Sequence, residues 1–335
     1  MTQLPSKKSD DAAALQDKII AAFDRGQRFL ILTHVDPDLD GIGAQLALGA
    51  VLRARGKTVS LWAPLPLPEQ YGFMPGIEDV VTDYPAQSFD VGVALDTATA
   101  SRMGEAAAAA HFPTLVNIDH HESNERFGTL NWVAAAASSV GEMLYELFAR
   151  WGVSLTREVA VCLYASIFTD TGGFSFANTT ARTLEVAAAL VEHGAEPFTI
   201  WRQVSGSFPL RRHTVLGSAL GTLRLWHDDR VATMRVTQRM LAEAGASMDD
   251  TEHFVQYPRT VRGVQVAAML RELADGRSVR VGLRSNDSAI NVGRLAARFG
   301  GGGHASAAGC TLEGTLDEAE RTVVAAITQV LQDAR

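Results

Sequence analysis

At 335 residues, with 47% hydrophobic and 7% aromatic residues, the chain reads as a globular protein long enough for two domains, each with its own core. A net charge of −8 excludes a protein that coats long nucleic acid through a basic surface. No apolar run approaches the ~18–20 residues of a membrane span.

Residues 1–11 are polar, of mixed charge and without an apolar signal core, which predicts a flexible tail on a cytoplasmic protein. From residue 12 to 195, strand-like and helix-like stretches alternate, the signature of a parallel sheet built from βαβ units. Strands are expected at Phe29–Leu32, Thr58–Trp62, Val91–Leu95 and Thr114–Ile118, with an Ala/Leu-rich helix after the first. Ser138 and Ser139 with Glu142 suggest a capping box before a helix over Met143–Trp151. Thr156 opens another helix, which the glycines at 172 and 173 stop just past Asp170. Residues 196–214, with Pro197, Pro209 and the Arg211-Arg212 pair, read as a partly helical linker.

From 215 to 335 the pattern changes to a smaller α+β domain. Two hairpins are expected, one around 227–230 and one around Asp275-Gly276. A helix over Asn291–Phe299, four glycines, His304 and a last helix over Leu316–Gln332 follow. Cys162 and Cys310 sit in apolar surroundings far apart in sequence and are expected to be buried thiols.

Chemistry concentrates where strands end. His34, Asp38 and Asp40 follow the first strand, Asp96 ends the third, and Asp119, His120 and His121 end the fourth; Asp170 closes a helix. Open α/β sheets keep their sites at that edge. Like charges gathered so closely are costly unless cations sit between them. The bland rival is an acidic surface turn in which Asp40 caps the next helix, and Asp36 and Arg102 are read as ordinary satisfied polar groups. Carboxylates with one imidazole per cation suit Mn²⁺, with Mg²⁺ or Co²⁺ as substitutes, whereas zinc more often recruits thiolates or several imidazoles. A pair of such cations suits in-line attack of water on phosphorus. The chain has no P-loop, no G-x-G-x-x-G after the first strand and no Ser/His/Asp or Cys/His arrangement. Charge is unevenly spread: residues 1–214 hold 16 Lys+Arg against 24 Asp+Glu, while residues 257–304 hold eight arginines against three acids. An acidic half for metals and a locally basic one for a small anion fit together.

These motifs resemble the DHH phosphoesterase superfamily, through the triplet Asp119-His120-His121, His34-x-x-x-Asp38-x-Asp40-x-x-Gly43, Leu95-Asp96-Thr97 and Thr169-Asp170-Thr171-Gly172. The second half resembles the associated C-terminal domain, through residues 279–285 and Gly300–Gly309. Residues 119–128 and 137–142 are most similar to the NrnA-type branch of oligoribonucleases and 3'-phosphoadenosine 5'-phosphate (pAp) phosphatases. The resemblance implies one Mn²⁺ on His34, Asp38 and Asp96 and a second on Asp40, Asp96, His120 and Asp170. It implies that His121 touches the scissile phosphate, that Asp119 orients the imidazoles, and that Arg262, Arg284, Gly301, Gly302, Gly303 and His304 hold substrate. Expected substrates are oligoribonucleotides of two to five residues, dinucleotides such as pGpG, and pAp, but no long duplex and no membrane; a homodimer is left open. One departure stands out: Leu39 occupies a position that is commonly glycine in that superfamily. A cyclic-dinucleotide phosphodiesterase, a RecJ-like single-strand exonuclease and a non-catalytic nucleotide sensor are the alternatives.

Overall fold

The computed structural model describes residues 7–64 and 67–333. The chain divides into two compact units, Met1–Ser207 and Phe208–Arg335, each with its own six-stranded sheet.

The first unit runs α1 (Lys7–Arg25), β1 (Arg28–Leu32), α2 (Leu39–Ala54), β2 (Thr58–Trp62), β3 (Val80–Val81), β4 (Val91–Leu95), α3 (Glu105–Ala108), β5 (Thr114–Asp119), β6 (Leu130–Val133), α4 (Val140–Arg150), α5 (Arg157–Asp170), α6 (Ala181–Glu192) and α7 (Pro197–Ser205). Of the expected tail, residues 1–6 lie outside the described residues, and 7–11 form the first turns of α1. All six strands are parallel, in the order β3-β2-β1-β4-β5-β6. In β1, Phe29 and Ile31 join the core beneath α2, α4 and α5, while Leu30 and Leu32 join the core on the opposite face. A strand covered on both faces must be apolar throughout, which is why its sequence does not alternate. The chain steps outward from β1 to β2 and β3, then returns to β1's other side at β4. That reversal opens a crevice at the carboxyl ends of β1 and β4.

Helix α2 is apolar on every side because the sheet and α5 enclose it. Its approach to α5 is close: a Cβ added at Gly43 would stand 2.5 Å from the carbonyl oxygen of Cys162. Leu39, the departure noted in the sequence, begins this helix and is buried in the core. Half of the expected capping box at α4 forms. Ser139 Oγ accepts from the Glu142 N–H, but the Glu142 carboxylate turns to Ser138 and to Thr183 on α6.

The second unit runs α8 (Leu210–Leu220), β7 (Arg224–Trp226), β8 (Val231–Val236), α9 (Gln238–Ala244), α10 (Gln256–Arg259), β9 (Val266–Glu272), β10 (Ser278–Ser285), α11 (Val292–Ala297), β11 (Gly302–Gly303), β12 (Ala307–Glu313) and α12 (Leu316–Asp333). Its sheet, ordered β11-β12-β10-β9-β8-β7, is mixed, with β8 and β9 parallel and the other pairs antiparallel. Both expected hairpins are present. The fold is thus a parallel α/β unit followed by a smaller α+β unit. Cys162 and Cys310 are buried free thiols.

Candidate active site

The crevice at the reversal point collects the sequence-marked side chains of the first unit. Asp38 caps α2: its Oδ1 accepts from the N–H groups of Asp40 at 2.9 Å and Gly41 at 3.2 Å. Capping therefore falls to Asp38, not Asp40 as the bland reading supposed. Asp40 instead crosses to α4, accepting from the N–H groups of Val140 at 2.9 Å and Gly141 at 3.2 Å and from the Ser166 hydroxyl. The positive end of a helix is a favourable seat for a carboxylate. Asp96 directly follows β4, in the left-handed region at φ 52°, a conformation that aspartate tolerates better than most residues and that often marks a working site. Asp170 is the last residue of α5, with Asn178 Nδ2 donating to its carbonyl at 3.1 Å.

The two imidazoles after β5 are held differently. The Asp119 carboxylate lies 2.7 Å from His121 Nδ1 and accepts from the His120 and His121 N–H groups at 2.9 and 3.3 Å. Asn124 Nδ2 donates to its other oxygen at 2.6 Å. Asp119 thus meets the ring of His121 directly and holds His120 through its backbone N–H. His120 Nδ1 lies 3.2 Å from the carbonyl of Ala137, which it can only approach as a donor, leaving Nε2 to face the acids.

Two groups of donors result. His34, Asp38 and Asp96 form one and Asp40, Asp96 and His120 another, with the ligand atoms of each within 4.8 Å of one another; Asp96 also closes up with Asp119 and His121, whose ring Asp119 already holds. His120 Nε2 is 3.6 Å from an oxygen of each of Asp40, Asp96 and Asp170. Those distances exceed a hydrogen bond and suit donors arranged around a cation held at about 2.0–2.2 Å. Asp96 Oδ1 is buried and has no hydrogen-bond partner. His34 Nε2 faces the other oxygen, Oδ2, at 3.5 Å, so the Asp96 carboxylate turns one oxygen to each group, and a buried carboxylate placed so fits a pair of divalent cations.

Electrostatics agree with that fit. Burial pushes the Asp96 carboxyl well above its ordinary value, with Asp40, Asp38, Asp119 and Asp170 adding to the shift. Burial, with Asp40 and Asp38, pushes Asp170 up to about 8, against the opposing pull of His120. Burial also raises Asp40, although His120 and the Ser166 hydroxyl oppose it. His34 is held below its ordinary value by burial. His120, drawn by Asp170, Asp40 and Asp119, is instead held above its ordinary value despite its burial. Crowded acids of this kind keep a proton until a cation takes its place, so metal binding and deprotonation are coupled.

The remaining expected residues lie in the second unit. Arg284 is on β10, its neighbours Arg259 and Arg271 adding to the burial that lowers it to about 10. Arg262 is exposed between α10 and β9. Gly302 and Gly303 form β11, and the His304 N–H donates to the Ala307 carbonyl at 2.7 Å. An added Cβ would stand 2.1 Å from the Gly309 carbonyl at Gly301 and 2.5 Å from that of Ala307 at Gly303. Packing against β12 alone thus demands glycine at both positions, whereas Gly302 faces open space.

The DHH family N-terminal domain matches residues 28–167, and the DHHA1 domain matches residues 228–333. The bifunctional oligoribonuclease and PAP phosphatase NrnA of Thermus thermophilus is 36% identical over 308 residues, covering 91% of this chain and 90% of that protein. The chain belongs to the DHH family. It is accordingly a phosphoric ester hydrolase. NrnA of Bacillus subtilis is 27% identical over 315 residues, covering 92% of this chain and 96% of its own. Among solved structures, an exopolyphosphatase-related protein from Bacteroides fragilis aligns with a TM-score of 0.87 at 27% identity, covering 99% of this chain and 98% of that one. The DHH triplet is Asp119-His120-His121, at the end of β5.

Sequence reasoning missed the holders of these side chains. Ser166, the Val140 and Gly141 N–H groups, the Ala137 carbonyl, Asn124 and Asn178 are ordinary residues by type, and only the fold brings them to the acids. Among the described residues, no helix is long and apolar enough to cross a membrane.

Proposed function

We propose that this DHH-family enzyme hydrolyses very short oligoribonucleotides, linear dinucleotides such as pGpG included, to 5'-mononucleotides, and pAp to AMP, using two Mn²⁺ ions. The observation that carries the reading is the pair of donor groups sharing Asp96, in a chain whose relatives are named for those two activities. Residues 12–195 would form the catalytic domain and 215–335 the substrate-binding domain, joined by 196–214. His34, Asp38 and Asp96 would hold one cation, and Asp40, Asp96, His120 and Asp170 the other. Such a pair, when bound, supplies an acidified water and neutralises charge on the phosphate. The protein's own part is positional: α4 and Ser166 fix Asp40, Ala137 fixes the ring of His120, and Asp119 holds His121 in the orientation assigned to it against the scissile phosphate. Arg262, Arg284, Gly301, Gly302, Gly303 and His304 are assigned to the rest of the substrate.

The test offers purified enzyme with Mn²⁺ a panel of pAp, pGpG, a 5-mer, a 24-mer and cyclic-di-AMP. Turnover of pAp and pGpG well above that of the 24-mer is expected. Preference for the 24-mer, or turnover of cyclic-di-AMP alone, would overturn the assignment.

A further inference from the structure

Arg102 belongs to the short 3-10 turn Ala100–Met103, in the loop that follows Asp96. Its carbonyl accepts from the Val35 N–H at 2.9 Å, tying this loop to the one that carries His34. Its guanidinium Nη2 lies 3.1 Å from His34 Nδ1. Among the described residues it has no carboxylate partner. By sequence it passed for an ordinary satisfied side chain.

The contact with His34 conflicts with that ring's assignment as a ligand. Arginine only donates, so Nδ1 must accept, and a neutral ring that accepts at Nδ1 carries its proton on Nε2. Nε2 is the nitrogen that faces Asp96, 3.5 Å from Oδ2. A ring that gives Nε2 to a cation carries its proton on Nδ1. Two donors would then face each other across 3.1 Å, and the guanidinium must turn away. It stays charged throughout. A guanidinium kept next to a pair of dications is favoured when an anion lies between them.

We propose that Arg102 is a substrate ligand whose guanidinium moves from His34 Nδ1 to a non-bridging oxygen of the phosphate group being hydrolysed. The inference rests on the phosphate-ester reading proposed for the same site. Without cations, the side chain holds the His34 ring; with them, it is released toward the phosphate. Its anchored backbone keeps it at the rim in both states.

The test uses full-length Arg102→Gln and Arg102→Lys with three readouts: Mn²⁺ affinity by calorimetry without substrate, affinity of the Mn²⁺-loaded protein for inorganic phosphate, and kcat and KM on a dinucleotide. The Gln variant should bind Mn²⁺ at least as tightly as the wild type, because a neighbouring positive charge is gone. It should bind phosphate about tenfold more weakly or worse and lose roughly 100-fold in kcat/KM, with Lys recovering part of the loss. Weakened Mn²⁺ binding with unchanged phosphate affinity would reduce Arg102 to a support for His34 and overturn the proposal. A wild type that cleaves no dinucleotide, with phosphate affinity still lost in the Gln variant, would sink the substrate assignment and leave the anion contact standing. A wild type that cleaves dinucleotides, with a Gln variant unchanged in phosphate affinity and kcat, would do the reverse. Should the Gln variant not fold, Lys decides: a several-fold loss of phosphate affinity supports the contact, and wild-type affinity with intact kcat refutes it.

Discussion

Replacing Asp96 with asparagine should make the metal-free protein more stable while destroying its response to metal. Asp96 is 2% exposed, one of its oxygens is buried without a hydrogen-bond partner, and four further carboxylates raise its proton affinity beyond what burial does. Folding without cations therefore either retains a proton that the unfolded chain would release or buries an uncompensated charge. Each unit of such a shift is worth about 1.4 kcal/mol. Asparagine keeps the shape, tolerates the positive φ of 52°, and offers an N–H₂ group to the remaining acids. Relief of a single unit would raise the melting temperature by roughly 3–6 °C for a domain of this size. In Mn²⁺ the order should invert. A ligand at about 1,000 times its Kd stabilises the wild type by about 4 kcal/mol, and the variant has lost the carboxylate common to both donor groups. Scanning calorimetry at pH 8, in EDTA and then in Mn²⁺, measures both effects. A variant that melts below the wild type in EDTA, or gains as much from Mn²⁺, would refute the reasoning.

Three further outcomes are expected. Between pH 4 and 8 the folded metal-free protein holds the Asp170 proton that the unfolded chain has lost, so its stability should fall as pH rises through that window. Mn²⁺ must displace that proton, so its affinity should rise at least about tenfold per pH unit up to about pH 8; calorimetry in buffers of different ionisation enthalpy counts the protons, and a pH-independent affinity would contradict the assignment. His121→Ala should lower kcat by about 10²–10³ while Mn²⁺ stoichiometry stays unchanged, because His121 is assigned to the phosphate; loss of a bound ion would make it a ligand instead. Gly43→Ala puts a methyl 2.5 Å from the Cys162 carbonyl and 3.1 Å from Ser166 Cβ. Forcing α2 and α5 apart should cost about 1–3 kcal/mol, seen as a lower melting temperature; an unchanged one would mean that the helices yield freely.

The candidate ligands were legible because each lies at a strand or helix end, where an acid or imidazole has no packing reason to be. The apolar runs of β1, β4 and β5 were legible for the complementary reason, since strands buried on both faces admit little else. What holds the ligands was not. Asp40 is fixed by N–H groups 100 and 101 residues away and by a serine 126 residues away, pairings that no local pattern encodes. The half-buried edge strand β6 carries Asn131 and Trp132 with no clear alternation. The start of α1 is too polar to announce itself. The resemblance assigned Gly301, Gly302 and Gly303 to substrate, yet two of them answer to the nearness of β12.

Anomalous diffraction from a crystal grown in Mn²⁺ tests the central claim most directly. Two strong peaks about 3.5–4 Å apart are predicted, one among His34, Asp38 and Asp96 and one among Asp40, Asp96, His120 and Asp170. A map with no peak there, or with a single ion that leaves either donor group empty at saturating metal, would contradict it.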